Sequence, residues 1–329
     1  MVESALMTEF ELIARYFSRP CTDTAVVLGV GDDCAALRVP EGERLLVSTD
    51  LLVDGRHFPE STAAFDVGYK AMAVNLSDLA AMGARPLGVT LGLALPAIEP
   101  DWLEPFAQGF YALAGHHGIC LVGGDTVKSP VRTLAVTIMG SARPDRILTR
   151  SGARPGDLIA VTGTLGDAGL GLRSIQHPES MPASLNPRDI DFLQMRLNRP
   201  TPRVDEGRRL AGVAHAAIDI SDGLLQDLGH ILRASHVGAV VETNRLPLSP
   251  AARAWFAADP TQRDLPLTAG DDYELLFTLP PEQWGTLGIS ATVIGRITED
   301  KHLRVLDAKG HDMPVHVHGF DHFAPVDLD

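Results

Sequence analysis

The sequence predicts a mixed α/β fold in two domains, and three observations support this prediction. Strand-like apolar runs alternate with helical patterns along the whole chain. A stretch rich in proline and glycine, Arg143 to Gly156, interrupts this alternation near the middle. A chain of 329 residues, 45% of them hydrophobic, is long enough to bury two cores. We therefore expect an N-terminal domain over residues 1–145 and a C-terminal domain over residues 146–329.

The elements of the N-terminal half follow from periodicity. Apolar residues at helical spacing predict a first helix, and an alanine-rich helical pattern that stops at Gly83, with Pro86 just beyond, predicts a second one. Short Val- and Leu-rich runs predict the strands. The predicted elements are helices over 8–18, 63–82 and 102–115 and strands over 26–28, 44–49, 87–95, 119–122 and 133–140.

The C-terminal half begins again as an α/β pattern. The apolar run 157–162 predicts a strand, and the crowded glycines from Gly163 to Gly171 predict a tight turn that opens a helix. The other predicted elements are strands over 216–220 and 273–279 and a helix over 224–234. The glycine turn either needs no ligand or binds a phosphate at the helix N-terminus. Its spacing is not that of a dinucleotide fingerprint, and the chain has no P-loop sequence.

Composition excludes several classes of partner. The net charge of −14 and the lack of a basic run argue against nucleic acid and against acidic membrane surfaces. No apolar stretch reaches about 18 residues, the length that would predict a membrane span. The three cysteines form no CxxC pair, and their odd number favours a reducing compartment over a disulfide framework. We therefore expect a cytoplasmic protein.

Aspartates recur in five short contexts rich in Gly, Ser or Thr, each at the edge of an apolar run. They are Asp32 and Asp33, Asp50, Asp78, Asp125, and Asp219 with Asp222. Two carboxylates about 4 Å apart repel by roughly 4 kcal/mol at an effective dielectric constant near 20, so a cluster of them implies bound cations or protons. Because the ligands are hard oxygen atoms without Cys or His spacing, the expected cation is magnesium.

Several of these residues also have a purely structural interpretation. Ser221 and Asp222 are common helix N-caps, whereas Asp219 lies within an apolar run where capping cannot reach it. Asp78, on the apolar face of its helix together with Asn75, would be costly if unpaired. His57 has the ordinary alternative of a hydrogen-bonded surface histidine. Arg150 is either a solvated linker charge or a phosphate contact.

The motifs together resemble one known family. They are Gly29–Ala35, Ser48–Val53, Asn75–Ala84, Gly123–Thr126, Ser221–Leu224, Gly270–Leu275 and Gly319–Phe323. In order and spacing they are similar to the thiamine-monophosphate kinases, a family of the PurM-like superfamily. The resemblance implies two α/β domains, with the N-terminal halves pairing in a homodimer to form a β-barrel and the C-terminal domain completing the active site.

The resemblance also implies a role for individual residues, with several magnesium ions and with ATP as phosphoryl donor. The implied metal ligands are Asp33, Ser48, Thr49, Asp50, Asp78, Asp125, Asp219 and Asp222. The implied ATP contacts are Gly124, Asp125, Arg150 and Ser221, and the implied contacts to thiamine monophosphate are His57, Asp271 and Phe320. Asp78, Asp125 and Arg150 are the implied catalytic residues. The chain departs from the family at Asp271, where Glu is usual, and at Phe320, where Tyr or Trp is common.

The implied reaction is direct in-line transfer of the γ-phosphoryl group of ATP to thiamine monophosphate. A phosphate monoester with a second pKa of about 6 is largely ionised at neutral pH, so no general base is required. Two alternative functions remain, that of a related enzyme of the same superfamily and that of a non-catalytic binding protein. Selenophosphate synthetase would need a reactive Cys or selenocysteine and a Lys in the N-terminal stretch, which Met1 to Pro20 does not supply. A non-catalytic nucleotide-binding protein would bind ATP without needing an acceptor.

Overall fold

The computed structural model describes residues 7–314, which form two units. The first contains the chain up to Leu79 together with Ala84–Arg146, and the second contains Ala80–Gly83 and the chain from Ile147 onwards. No helix within the described residues is long and apolar enough to cross a membrane. The predicted Phe320 contact lies outside the described residues.

The first unit contains a four-stranded sheet and a small two-stranded sheet. Its strands are β1 (Val26–Leu28), β2 (Ala36–Leu37), β3 (Arg44–Val53), β4 (Arg85–Leu95), β5 (Leu121–Lys128) and β6 (Thr133–Ala142), and its helices are α1 (Glu9–Leu12), α2 (Ala64–Ala81) and α3 (Pro100–His116). The larger sheet has the order β3-β6-β4-β5, in which only β4 and β5 are parallel. Helix α3 connects these two parallel strands, as a crossover between parallel neighbours requires.

Helices α2 and α3 cross with their backbones in contact. A Cβ atom on Gly68 of α2 would lie 2.0 Å from the carbonyl oxygen of Phe106, and one on Gly109 of α3 would lie 1.9 Å from that of Phe65. Each helix thus contributes a glycine at the place where the other helix approaches. The crossing depends on the absence of a side chain at both positions.

Gly109→Ala is expected to destabilise the first unit by about 1–3 kcal/mol, since the new methyl group must push two helix backbones apart. Gly115→Ala, in the same helix but with no atom within 4 Å of the new Cβ, is the matched control. It should be neutral or stabilise by up to about 1 kcal/mol, because alanine is the better helix former. Urea denaturation of both variants checks this, and a Gly109→Ala protein as stable as the control would contradict the crossing.

The second unit is built on a six-stranded sheet with helices. Its strands are β7 (Leu158–Thr162), β8 (Ala216–Asp219), β9 (Gly238–Glu242), β10 (Leu275–Leu279), β11 (Ala291–Thr298) and β12 (Leu303–Leu306). Its helices are α4 (Asp167–Gln176), α5 (Pro187–Asn198), α6 (Val204–Leu210), α7 (Leu224–Ser235), α8 (Pro250–Ala258) and α9 (Leu265–Thr268). The strand order is β12-β9-β11-β7-β10-β8, antiparallel except between β12 and β9.

Two apolar clusters form the core of this second unit. One consists of sheet residues and α7, and the other surrounds the fully buried Trp255 with residues of α4, α5 and α8. Strands β7 and β10 are buried along their whole length. The mixed α/β character predicted from the sequence is confirmed. The sheets are open within the described residues, and the dimeric barrel stays a prediction.

Three local expectations were wrong. Asp50 lies within β3 and Gly123 to Asp125 lie within β5, so these segments belong to strands rather than to the loops beyond them. The first helix ends at Leu12 and continues as a π-helical turn, Ile13–Phe17. Leu12, Tyr16 and Phe17 are buried, whereas Phe10, at helical spacing from Ile13 and Phe17, is 80% exposed.

The cysteines also differ from expectation. Cys21 and Cys120 form a disulfide with a Cα–Cα distance of 5.7 Å, although 99 positions separate them in the sequence. Cys34 is the free one and is exposed. Spacing along the chain could not reveal this pair, because the fold brings the N-terminal segment next to the residue that precedes β5.

Candidate active site

In the first unit, one set of predicted metal ligands lies on strand β3 and helix α2. Residues of β3 alternate, with Ser48 and Asp50 half-buried and Leu45, Val47, Thr49 and Leu51 exposed. The hydroxyl of Ser48 donates a hydrogen bond of 2.5 Å to Oδ2 of Asp78. Asp78 is the one residue of 71–81 that is not fully buried. The structure therefore brings two predicted ligand residues, Ser48 and Asp78, into contact, and it places Asp50 on the same strand face as Ser48.

Thr49 is oriented differently from its two neighbours. Its hydroxyl lies on the other side of the strand, 2.8 Å from the hydroxyl of Thr137. Side chains on a strand point alternately to opposite faces, so Thr49 and Asp50 cannot present side-chain oxygens to the same ion. Thr49 could contact a metal ion near Asp50 only through its backbone oxygen, which is one of the two routes that the resemblance implies.

Asn75 lies one helical turn before Asp78 and is completely buried. Its Nδ2 donates to the carbonyl oxygen of Ala71 at 3.0 Å, while its Oδ1 has no hydrogen-bond partner among the described atoms. A buried acceptor without a partner is costly unless water or an ion satisfies it. The sequence marked Asn75 as conspicuous in an apolar helix but gave it no role.

The other acidic residues of the predicted site in this unit, Asp32, Asp33 and Asp125, are exposed. Asp32 and Asp33 lie in the loop between β1 and β2, where Oδ1 of Asp32 accepts from the backbone N–H of Asp33 at 3.1 Å. Asp125 lies opposite Gly92 in the sheet, and its Oδ1 accepts from the N–H of Thr126 at 2.9 Å. The preceding Gly124 approaches β4 so closely that a Cβ would lie 2.0 Å from the carbonyl oxygen of Leu91.

In the second unit, the predicted residues Asp219, Ser221 and Asp222 follow one another at the end of β8. Asp219 is 5% exposed and pairs with Leu275 of β10 in the sheet. The expected capping of α7 by Ser221 or Asp222 was wrong, since the N-cap is Gly223 and no side chain caps the helix. Instead, a carboxylate from the first turn of α7 binds the residues that precede the helix. Oδ2 of Asp227 accepts from the backbone N–H groups of Ser221 and Asp222, both at 3.1 Å.

Asp227 is a residue that sequence reasoning missed, although an acidic residue in the first turn of a helix is a recognisable signal. Burial raises the pKa of Asp227 to about 7, and the negative charges of Asp219 and Asp222 add to this rise, against the lowering effect of the backbone N–H donors. Three carboxylates, those of Asp219, Asp222 and Asp227, thus lie close enough to interact electrostatically.

Asp271 and Arg150 lie in the same unit. The backbone N–H of Asp271 donates to the carbonyl oxygen of Ser221 at 2.9 Å, so the structure joins a predicted substrate residue to a predicted ATP residue. Arg150 is exposed, and its carbonyl oxygen accepts from the hydroxyl of Ser235 at 3.3 Å. Burial lowers the pKa of His230, and Arg233 and Arg150 lower it further, whereas Asp222 raises it. Arg150 and Asp222 therefore both lie close enough to His230 to change the pKa of its imidazole.

His57 lies in the turn after β3. Its Nδ1 accepts from the backbone N–H of Val53 at 3.0 Å, which places the ring proton of a neutral imidazole on Nε2. Its carbonyl oxygen accepts from the ammonium group of Lys70 at 3.4 Å. Lys70, a residue of α2 that the sequence analysis did not single out, is 2% exposed. The histidine is thus held by its own turn and by a buried lysine.

The glycine-rich turn before α4 is not open to a phosphate at its capping position. The N–H of Gly166, the N-cap of α4, donates to both carboxylate oxygens of Asp272, at 3.1 and 2.9 Å. The next carboxylate, Asp167, accepts from the hydroxyls of Ser249 and Thr164. An internal carboxylate thus takes the place that an anionic ligand would occupy at this helix N-terminus, and the structure favours the turn without a ligand.

The residues of both units fit a hard divalent cation such as magnesium. Ser48 and Asp78 supply oxygen ligands in contact with each other, Asn75 supplies a buried oxygen without a hydrogen-bond partner among the described residues, and the carboxylates of Asp219 and Asp222 lie close enough to raise the pKa of Asp227. Within residues 7–314, however, no group of three or more His, Cys, Asp or Glu side chains is already placed to hold a metal ion. Convergence of the whole acidic set stays a prediction.

Comparison with known proteins defines the class first. Residues 31–142 match the N-terminal domain, and residues 154–308 the C-terminal domain, of AIR synthase related proteins. The two matched segments cover most of both units. The fold and the matches therefore place the chain among the AIR synthase related proteins.

More similar relatives specify the family. The chain is 43% identical over 324 residues to thiamine-monophosphate kinase from Escherichia coli strain K12, covering 96% of this chain and 98% of the relative. A crystal structure of thiamine-monophosphate kinase from Stenotrophomonas maltophilia K279a is 45% identical, with a TM-score of 0.81 and coverage of 89% of this chain and 93% of that one. The structure of AaThiL complexed with AMPPCP and TMP is 33% identical, with a TM-score of 0.77 and coverage of 87% and 89%. The chain belongs to the thiamine-monophosphate kinase family.

Proposed function

We propose that this protein transfers the γ-phosphoryl group of ATP to thiamine monophosphate, giving ADP and thiamine diphosphate. The observation that carries the proposal is the 43% identity to the Escherichia coli enzyme over 96% of this chain. The relative crystallised with AMPPCP and TMP supports the same pair of reactants. The oxygen-rich residues at the end of β8 and between β3 and α2 are suited to phosphate chemistry that uses metal ions.

The chemistry does not require a general base. The acceptor is a phosphate monoester with a second pKa of about 6, so its attacking oxygen is already ionised at neutral pH. The main obstacle is repulsion between two polyanions, which positioning and charge neutralisation reduce. Direct attack on the γ-phosphorus in line with the leaving ADP needs no phosphoenzyme, so the configuration at phosphorus inverts.

Magnesium ions are the proposed cofactors. In the first unit Ser48, Asp50 and Asp78 would hold them, with Asp33, Asp125 and the backbone oxygen of Thr49, and in the second unit Asp219 and Asp222 would do so. When bound, such ions neutralise phosphate charge and orient the reacting groups. Asp78 and Asp125 act in catalysis by keeping this charge in place.

The nucleotide and the acceptor are bound by different residues. Gly124, Asp125, Arg150 and Ser221 contact ATP, and the exposed guanidinium of Arg150 is a permanent positive charge suited to bidentate phosphate binding. His57, Asp271 and Phe320 contact thiamine monophosphate. Asp271 is one methylene shorter than the glutamate usual in the family, and its left-handed backbone, with φ of 67°, sets the direction of its carboxylate.

We further propose a homodimer in which the N-terminal sheets of two copies form a β-barrel. Strand β3 is at the edge of its sheet, and its outward side chains Leu45, Val47 and Leu51 are 49%, 57% and 55% exposed. Three large apolar side chains in a row on an edge strand favour burial against another chain. The availability of ATP favours the cytoplasm as the compartment, whereas the disulfide between Cys21 and Cys120 does not support it. The charge of −14 argues against a nucleic-acid partner.

A coupled assay for ADP tests the reaction. ATP consumption should depend strictly on thiamine monophosphate and on magnesium, with thiamine and aminoimidazole ribonucleotide as the comparison acceptors. Thiamine should be inactive, because its neutral hydroxyl offers no charge to metal ions and is not ionised at neutral pH. ATP binding without consumption in the presence of thiamine monophosphate would favour a non-catalytic nucleotide-binding protein.

A further inference from the structure

In the segment from Ala269 to Glu274, residues with a left-handed backbone alternate with buried acidic residues. Asp271 and Tyr273 have left-handed backbones, with φ of 67° and 48°. The intervening Asp272 and the following Glu274 are 1% and 0% exposed. Residues other than glycine adopt the left-handed region rarely, and they keep it only when surrounding contacts enforce it. The two buried carboxylates are the contacts that could enforce it.

Glu274 fixes one end of this segment. Its carboxylate accepts from Nε and Nη2 of Arg203 at 2.6 and 2.7 Å, from Nη2 of Arg196 at 2.8 Å and from the hydroxyl of Thr162 at 2.6 Å. The same hydroxyl accepts from the N–H of Leu275 at 2.8 Å. A bidentate ion pair with Arg203 and a second ion pair with Arg196 hold the glutamate side chain in one rotamer.

Asp272 fixes the middle of the segment. Its carboxylate accepts from the N–H of Gly166, and its own carbonyl oxygen accepts from Nη2 of Arg196 at 3.3 Å. Arg196 therefore contacts both anchors. Burial raises the pKa of Asp272 well above its usual value, and the charges of Asp167 and Glu274 raise it further. Asparagine has the same shape as this side chain and keeps one acceptor oxygen for the N–H of Gly166.

The anchored segment lies directly against the Ser221–Asp222 turn. The N–H of Tyr273 donates to the carbonyl oxygen of Ile220 at 2.8 Å, next to the bond between Asp271 and Ser221. A Cβ on Gly270 would lie 2.2 Å from the carbonyl oxygen of Ser221, so the two backbones are in contact. The turn itself has a separate anchor in Asp227. A shift of the segment would thus displace Asp271 while the turn stays in place.

We propose that Asp272 and Glu274 are positioning residues that hold Asp271 in its left-handed conformation, so that its carboxylate is oriented for the acceptor substrate. The inference rests on the proposed function, in which Asp271 contacts thiamine monophosphate. Asp272 and Glu274 themselves do not touch the substrate. Their effect is mainly on acceptor binding, because Ser221, the nucleotide residue in contact with the segment, keeps its own hydrogen bond to Asp227.

Steady-state kinetics of Asp272→Ala and Asp272→Asn test the proposal. The alanine variant should raise KM for thiamine monophosphate about 10-fold, with KM for ATP changed less than about twofold, a split that a loss of folded protein would not give. The asparagine variant, which keeps an acceptor for Gly166, should restore most of the affinity. Asp157→Ala is the matched control, because Asp157 is also a buried carboxylate of this unit, is 3% exposed and accepts from the N–H of Arg154 at 2.9 Å.

A double-mutant cycle tests whether Asp272 acts through Asp271. If it does, Asp271→Ala and the double variant Asp271→Ala/Asp272→Ala should have the same KM for thiamine monophosphate within about twofold. Multiplicative effects, or an equal rise of both KM values in Asp272→Ala, overturn the inference.

Hydrogen exchange of residues 269–275 gives a readout that needs no turnover. Asp272→Ala should exchange faster there than Asp272→Asn and Asp157→Ala, and unchanged protection overturns the inference even in a protein of another activity. Failure of the proposed function has a different signature, namely a wild-type protein that consumes no ATP when thiamine monophosphate is added.

Discussion

Asp78→Asn is expected to lower kcat by at least about 10²–10³-fold, the loss typical when one preorganised electrostatic contact to the reacting phosphates is removed. The substitution keeps the size of the side chain and an oxygen for the hydrogen bond from Ser48. It removes the negative charge that would hold a magnesium ion near Asp50. The change should therefore affect charge at the site and leave the packing between β3 and α2 intact.

Stability separates this explanation from a structural one. A carboxylate on a nearly buried helix is desolvated at a cost in folding free energy, so its neutral amide should leave the unfolding transition unchanged or raise it. Asp101→Asn, at an exposed position in the first turn of α3, serves as the control and should leave activity unchanged and lower stability by at most about 1 kcal/mol. Near-normal turnover by Asp78→Asn would show that Asp78 is not a metal ligand, and an unfolded variant would show that its role is structural.

The acidic motifs of the sequence identify candidate metal ligands, but they do not predict on which side of a strand or helix each side chain lies. Ser48 and Asp78 are in contact, and strand alternation, which can be read from the sequence, puts Asp50 on the same strand face as Ser48. The same alternation separates the hydroxyl of Thr49 from them, which a motif read as a continuous string does not reveal. Within a motif, as between motifs, the periodicity of the strand or helix decides which side chains share a face.

Other features depend on contacts between distant parts of the chain. The sequence Gly270-Asp271-Asp272-Tyr273-Glu274 contains three acidic residues, and only the fold shows that two of them are buried. Their partners lie on α4, α5 and the turn before α6, about 70 to 110 positions away. The disulfide between Cys21 and Cys120 was missed for the same reason.

Glu274→Gln is expected to destabilise the second unit by about 3–5 kcal/mol, the usual cost of breaking a buried ion pair by neutralising one partner. Glu274 is completely buried, and the side chains of Arg196 and Arg203 are 9% and 22% exposed. The amide would leave two guanidinium groups close together without the carboxylate that balances them. One of its two acceptor oxygens would also be replaced by a donor that faces other donors.

Native-state hydrogen exchange of β7 and β10 measures this effect within the unit, because these strands contain Thr162 and border Glu274. Asp312→Asn removes the partner of an exposed arginine, Arg304, in the same unit, and it should leave exchange unchanged because water screens a surface pair. A Glu274→Gln protein that loses less than about 1 kcal/mol would mean that other groups balance the two arginines. The carboxylate would then orient the segment before β10 without stabilising the fold, which the kinetics of the Asp272 variants would still detect.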